Sequence, residues 1–201
     1  MDDELIQRIR RIYAAIGATE ETDLGKLKAT VVRTRNVVFV HQDFRGALDN
    51  EELSNLAHSL IHNIANLGDH LRKWAAHNGQ DKNQVDEAVS RSLPLRIIKD
   101  LSNNDKHGYP PRDGGRSEKC PRLVDINRVL ELTTKPEAGS AICVTLSHSG
   151  TPQATGSGSA KAIITGEIVD KDNNRIDDLH HVAAEAVEAW EHLLDHLGIR
   201  L

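Results

Sequence analysis

Aromatic residues are scarce, with two Trp, two Tyr and two Phe in 201 residues. So few rings leave no obvious stacking platform for single-stranded bases. Only two cysteines occur, Cys120 and Cys143, at no metal or redox spacing. They read as reduced thiols in a cytoplasmic protein. No run of about 18 apolar residues is present, which excludes a membrane-spanning helix. The start, Met1-Asp2-Asp3-Glu4, is acidic and carries no apolar signal core. Positive charge is also short: 25 Lys and Arg face 30 Asp and Glu, for a formal net charge of −5. Bulk electrostatics therefore do not drive binding to nucleic acid or anionic lipid, which leaves only a local basic patch. What is there is the 38% hydrophobic content of one ordinary domain, 1–201, and a surplus of 11 histidines.

Helical periodicity dominates 1–108. Residues 3–16 place Leu5, Ile9, Ile12 and Ile16 on one face, before Gly17. A second helix is expected over 22–48 from Leu24, Leu27, Val31 and Val38, against the β-branched run at 37–40. A third runs from Glu51 to His77 with Asn50 as its cap, and Leu53, Leu56, Leu60, Ile64, Leu67, Leu71 and Trp74 form its apolar stripe. A short helix over 82–91 follows. Ser92 then caps another, with Pro94 in its first turn, Leu93, Ile97 and Leu101 inward, and Gly108 as its stop.

After a turn-rich stretch over 108–121 the period changes from 3.6 to 2. Val124, Ile126, Leu130 and Leu132 share one parity, as do Ile142, Val144 and Leu146, and 160–169 is rich in β-branched residues. The expectation is a three-stranded antiparallel meander over 122–169, with a mobile loop before its third strand. A last helix spans 177–197 on Leu179, Val182, Ala186, Trp190, Leu193 and Leu197. The fold expected is α+β: a mainly helical bundle with one small three-stranded antiparallel sheet between the penultimate and last helices.

Two polar stripes stand out. At about 100° per residue, His58, His62 and Asp69 fall within about 40° of one another opposite the apolar stripe. Two histidines four apart can hold one metal ion, with Asp69 as the third ligand. Arg96, Asp100, Asn103 and His107 fall within about 60° on the next long helix. There Asp100 would grip Arg96, Asn103 would orient His107, and the imidazole would act as general acid or base. The bland readings are a solvated face and a helix-terminal imidazolium. His41, His77, His148, His180 and His181 have no account beyond composition, and His192 and His196 look like a charged surface. The Gly/Ser stretch before Lys161 lacks the Gly-Lys-Ser/Thr of a phosphate loop, and no cofactor motif occurs.

Asp100-x-x-Asn103-x-x-Lys106-His107 resembles a signature of bacterial and phage helical proteins similar to the HEPN superfamily, and Leu67-Gly-Asp69-His70-Leu71 resembles the helix preceding it. The resemblance implies a helical core, a homodimer, and a metal-independent ribonuclease site in which Arg and His act on the phosphate. The family's pattern is Arg, four to six residues, then His, and no Arg stands at that distance before His107. Two main readings follow. One is a non-catalytic helical interaction module with an RNA or protein partner, of a defence, toxin–antitoxin or phage-associated kind. The other is an endoribonuclease with His107 as acid/base, Lys106 or Arg96 on the phosphate, and Asn103 and Asp100 as orienters. A His58/His62/Asp69 metal protein is the third.

Overall fold

Helices form at five of the six places where periodicity expects them. The computed structural model describes residues 3–27, 29–111, 114–147 and 150–199, so Arg112 and Asp113 of the expected loop, and His148, lie outside the described residues. The helices are α1 (Asp3–Thr19), α2 (Asn50–His77), α3 (Asn83–Arg91), α4 (Leu93–His107) and α5 (Leu179–His196). Asp49, not Asn50, caps α2. Its carboxylate accepts from Glu52 N at 2.8 Å while the Glu52 side chain accepts from Asp49 N at 3.0 Å, a reciprocal capping box. Among the described residues no helix is long and apolar enough to cross a membrane.

The sixth expected helix, over 22–48, is not one. A single 3₁₀ turn (Leu24–Lys26) leads into a hairpin of β2 (Ala29–Arg33) and β3 (Val38–Gln42), in register Val31 to Val40 and Val32 to Phe39. The run Val37-Val38-Phe39-Val40 decides this, because β-branched and aromatic side chains lose rotamer freedom in a helix and fit a pleated strand.

The expected mainly helical bundle with one three-stranded meander is also corrected. The main sheet has four strands. Its centre is β7 (Ser159–Val169), paired antiparallel with β4 (Arg122–Thr133), β1 (Glu20–Glu21) and β8 (Arg175–Asp178). The strand expected in the middle, β5 (Ile142–Leu146), pairs instead with β6 (Pro152–Gly156) in a hairpin of its own. The loop expected to be mobile therefore contains a strand. Parity misleads in β4 because a bulge between Val124 and Asn127, with Asp125 at φ +50°, resets the alternation. Leu123 and Ile126, of opposite parity, thus pack on the same core.

That core joins α1, α2, α4, α5 and the inner face of β7. Leu53, Leu60, Ile64, Leu67 and Leu71 of α2 are all buried, as are Ile164, Ile168, Val182, Ala186 and Trp190. Burying each of the Leu, Ile and Val side chains contributes about 1.5–3 kcal/mol. Helix α4 is hemmed in by α2, α3, α5 and β4. It consequently buries the unbroken run Ile97–Ser102, including Lys99, Asp100 and Ser102, whereas the expected inward Leu93 is exposed. Charged and polar groups held inside a packed helix set up the site.

Candidate functional site

Asp100 and Lys99 are consecutive in α4, 2% and 8% exposed. Asp100 is fully engaged: Arg116 N donates to Oδ1 and Ser117 N to Oδ2, each at 2.7 Å. The chain reaches it through Gly115 at φ +76°, where an added Cβ would stand 2.6 Å from Oδ2. Asp100 thus fastens the segment after 113 onto α4. It neither grips Arg96 nor orients His107. Arg96 is half-buried, and its Nε has no partner among the described residues.

Lys99 is treated differently. Its Nζ donates to Ala65 O of α2 at 3.2 Å, and among the described residues no carboxylate lies within ion-pair distance. Burial, the largest cause, pushes the ammonium below the ordinary lysine range; Asp69 and Asp86 oppose this, and Arg72 and Arg116 add to it. Space for it comes from Gly68 in the middle of α2. A Cβ there would stand 3.1 Å from the Trp190 ring and 3.3 Å from Lys99 Nζ. Glycine in a helix interior costs about 1 kcal/mol relative to alanine, so this close approach has a local cost.

The ammonium opens into a cavity of about 160 Å³ between α2 and α4, walled by Asn66, Asp69, Arg72, Lys99, Ser102, Asn103, Lys106 and Arg116. Four of these are cations and one is a carboxylate. Arg72 is already neutralised, donating to Asp69 Oδ1 at 2.6 Å and to Asp86 Oδ1 through Nε at 3.0 Å. The Asp86 hydrogen bond keeps Arg72 above its ordinary range and Asp86 below its own. Among the described residues Lys106 donates only to the Asn66 amide oxygen, at 3.2 Å. Lys99, Lys106 and Arg116 thus bring positive charge with no carboxylate partner among the described residues.

Asn103 and Arg116 also border a second, larger cavity of about 910 Å³, lined by His107, Tyr109, Pro110 and Pro111. His107 is exposed there and, among the described residues, makes no hydrogen bond to Asn103. Of the expected stripe, Asp100, Asn103 and His107 therefore border this cavity, Asp100 with each oxygen accepting a backbone N–H, while Arg96 does not line it.

The α2 stripe is rearranged as well. His62 Nε2 lies 2.8 Å from Asp105 Oδ2 and its Nδ1 2.8 Å from Ser102 Oγ. His58 Nε2 lies 3.8 Å from Asp105 Oδ1, and its Nδ1 is 2.9 Å from Ser54 O. Asp69 does not join them, being held by Arg72. Among the described residues no three His, Cys, Asp or Glu side chains form a group that could hold a metal ion. The histidines are tied to α4 by a carboxylate and a hydroxyl.

Comparison with known proteins finds no match. No family model, no curated protein and no solved structure corresponds to this chain.

Sequence reasoning passed over Lys99, Ser102, Asp105, Arg72 and Arg116. A signal for part of the set exists. Lys99, Ser102, Asn103 and Lys106 sit at offsets 0, 3, 4 and 7, a second polar stripe on the same helix. Gly68 inside a strongly periodic helix marks a close approach.

Proposed function

We propose that the protein is a non-catalytic binding module that captures a phosphoryl group in the α2–α4 cavity. The observation that carries this reading is Lys99: a buried ammonium with one backbone partner, opening into a small polar cavity that it shares with Lys106 and Arg116. A buried charge without a counter-charge is costly, and an anionic ligand removes that cost. A phosphate accepts hydrogen bonds on several oxygens and suits convergent lysine and arginine donors. The net charge of −5 argues against an extended nucleic-acid track. One pocketed phosphoryl group, on a small molecule or an RNA end, fits better than a row of phosphates. The adjoining larger cavity gives the rest of the ligand a place beside Tyr109 and His107. Two free cysteines, Cys120 and Cys143, agree with a cytoplasmic setting. The HEPN-like resemblance enters this reading only through its motif, and the homodimer it implies is checked by light scattering.

Calorimetric titration with inorganic phosphate, mononucleotides, and 5′-phosphorylated and unphosphorylated RNA oligomers tests the reading. Binding that needs the phosphate and is lost in Lys99→Met supports it. Equal behaviour of phosphorylated and unphosphorylated ligands overturns it.

The ribonuclease reading has one observation of its own: His107, Asn103 and Arg116 line one cavity. Cleavage of mixed RNA in EDTA, abolished by His107→Ala, is the result it requires.

A further inference from the structure

The cations of the α2–α4 cavity attract any small oxyanion, but one wall group separates them. Ser102 belongs to that wall and is 2% exposed. Its Oγ lies 2.8 Å from His62 Nδ1, and His62 Nε2 lies 2.8 Å from Asp105 Oδ2. A carboxylate oxygen accepts, so Nε2 carries the proton and donates to Asp105. In the neutral imidazole Nδ1 then has a lone pair and must accept. With the imidazole neutral, the Ser102 hydroxyl proton points at His62, and Ser102 turns lone pairs, not a donor, toward the cavity. Asp69 adds a second acceptor, since only its Oδ1 is taken by Arg72.

From this hydrogen-bond polarity we infer that Ser102, set by the His62–Asp105 pair, is a specificity residue selecting a phosphoryl group that carries its own proton. Hydrogenphosphate and the monoanion of a phosphate monoester qualify, because each has a P–OH that donates to Ser102. Sulfate and phosphodiesters have no such proton. They meet an oxygen lone pair and leave a buried acceptor unsatisfied, the kind of mismatch that discriminates between otherwise similar ligands. His62 and Asp105 act as positioning residues and do not touch the ligand. The inference rests on the cavity being a phosphoryl site.

Titration calorimetry at pH 7.5 with inorganic phosphate, sulfate and dimethyl phosphate tests it. Wild type is expected to bind phosphate at least about tenfold more tightly than either other anion. In Ser102→Ala the acceptor is gone and the preference falls several-fold, chiefly through weaker phosphate binding. In Asp105→Asn the carboxamide can donate to Nε2, the imidazole proton moves to Nδ1, and the Ser102 O–H is free to turn into the cavity. Sulfate binding should then strengthen in Asp105→Asn and not in Ser102→Ala, a contrast that a merely structural role for Asp105 would not produce. Circular dichroism of both variants confirms that they are folded. Equal affinities for phosphate and sulfate in wild type, or parallel losses for both anions in the two variants, overturn the inference while leaving the phosphoryl pocket standing. No binding of any anion overturns both.

Discussion

Two consecutive residues of α4 carry buried charge in opposite ways. At Asp100 the chain supplies the counter-groups itself, two backbone N–H groups presented through Gly115. One residue earlier, Lys99 receives a single carbonyl and faces a cavity. Asp100 carries part of the motif that resembles a nuclease signature, yet the fold already gives each of its oxygens a backbone N–H partner. Lys99 lies outside that motif and is the one left incomplete. A buried charge that the fold completes is architecture, and one that it leaves incomplete invites a ligand.

The sharpest way to break this contrast is at Asp100. Replacing it by Ala strands two inward-pointing N–H groups and unfastens the segment that carries Arg116. A loss of about 3 kcal/mol is expected, a fall of roughly 6–12 °C in melting temperature by differential scanning calorimetry. A change of under about 1 kcal/mol would show that the carboxylate is not the lock it looks like.

Lys99→Met is the opposite case. Because burial lowers the folded-state pKa of Lys99, the unfolded chain holds its proton more tightly, and stability rises with pH through the window just below the ordinary lysine value. At neutral pH the ammonium therefore works against folding. Methionine, similar in shape and uncharged, should leave stability unchanged or raise it by up to about 1 kcal/mol, while phosphate binding falls at least about tenfold. The variant should also lose the alkaline rise in stability, measured by urea unfolding between neutral pH and pH 10. A Lys99→Met protein that is strongly destabilised would make Lys99 another lock.

The contrast explains what could be read in advance. The helices followed from apolar spacing, which is a one-dimensional property: α2 and α5 show it in Leu53 to Leu71 and in Leu179 to Leu193. The failures lie where a local β-branched run or a neighbour distant in sequence decides. Residues 22–48 show a helical spacing that their β-branched run overrules, and β5 finds β6 because β7 is already taken by β4. On α4 a helical wheel puts Lys99 on the side away from Ile97, toward solvent. Only α2, brought close by Gly68, turns that side into an interior. His58 and His62, expected with Asp69 as a metal site on α2, both face Asp105 of α4. Their partner, Asp105, is contributed by another helix and could not be read from α2 spacing.

Lys106 and His107 refine the open end of the face and carry the smallest effects. Lys106 is exposed with only an amide partner, so Lys106→Ala should weaken phosphate binding about three- to tenfold, with stability unchanged within about 0.5 kcal/mol. His107 is also exposed and borders the larger cavity, not the cation-lined one. If the small cavity alone holds the phosphoryl group, His107→Ala should leave both stability and inorganic phosphate affinity unchanged. An effect confined to larger phosphorylated ligands would place their remaining atoms beside His107. A loss of inorganic phosphate binding as large as that of Lys99→Met would instead merge the two cavities into one site, and put the imidazole against the phosphate as the ribonuclease reading requires.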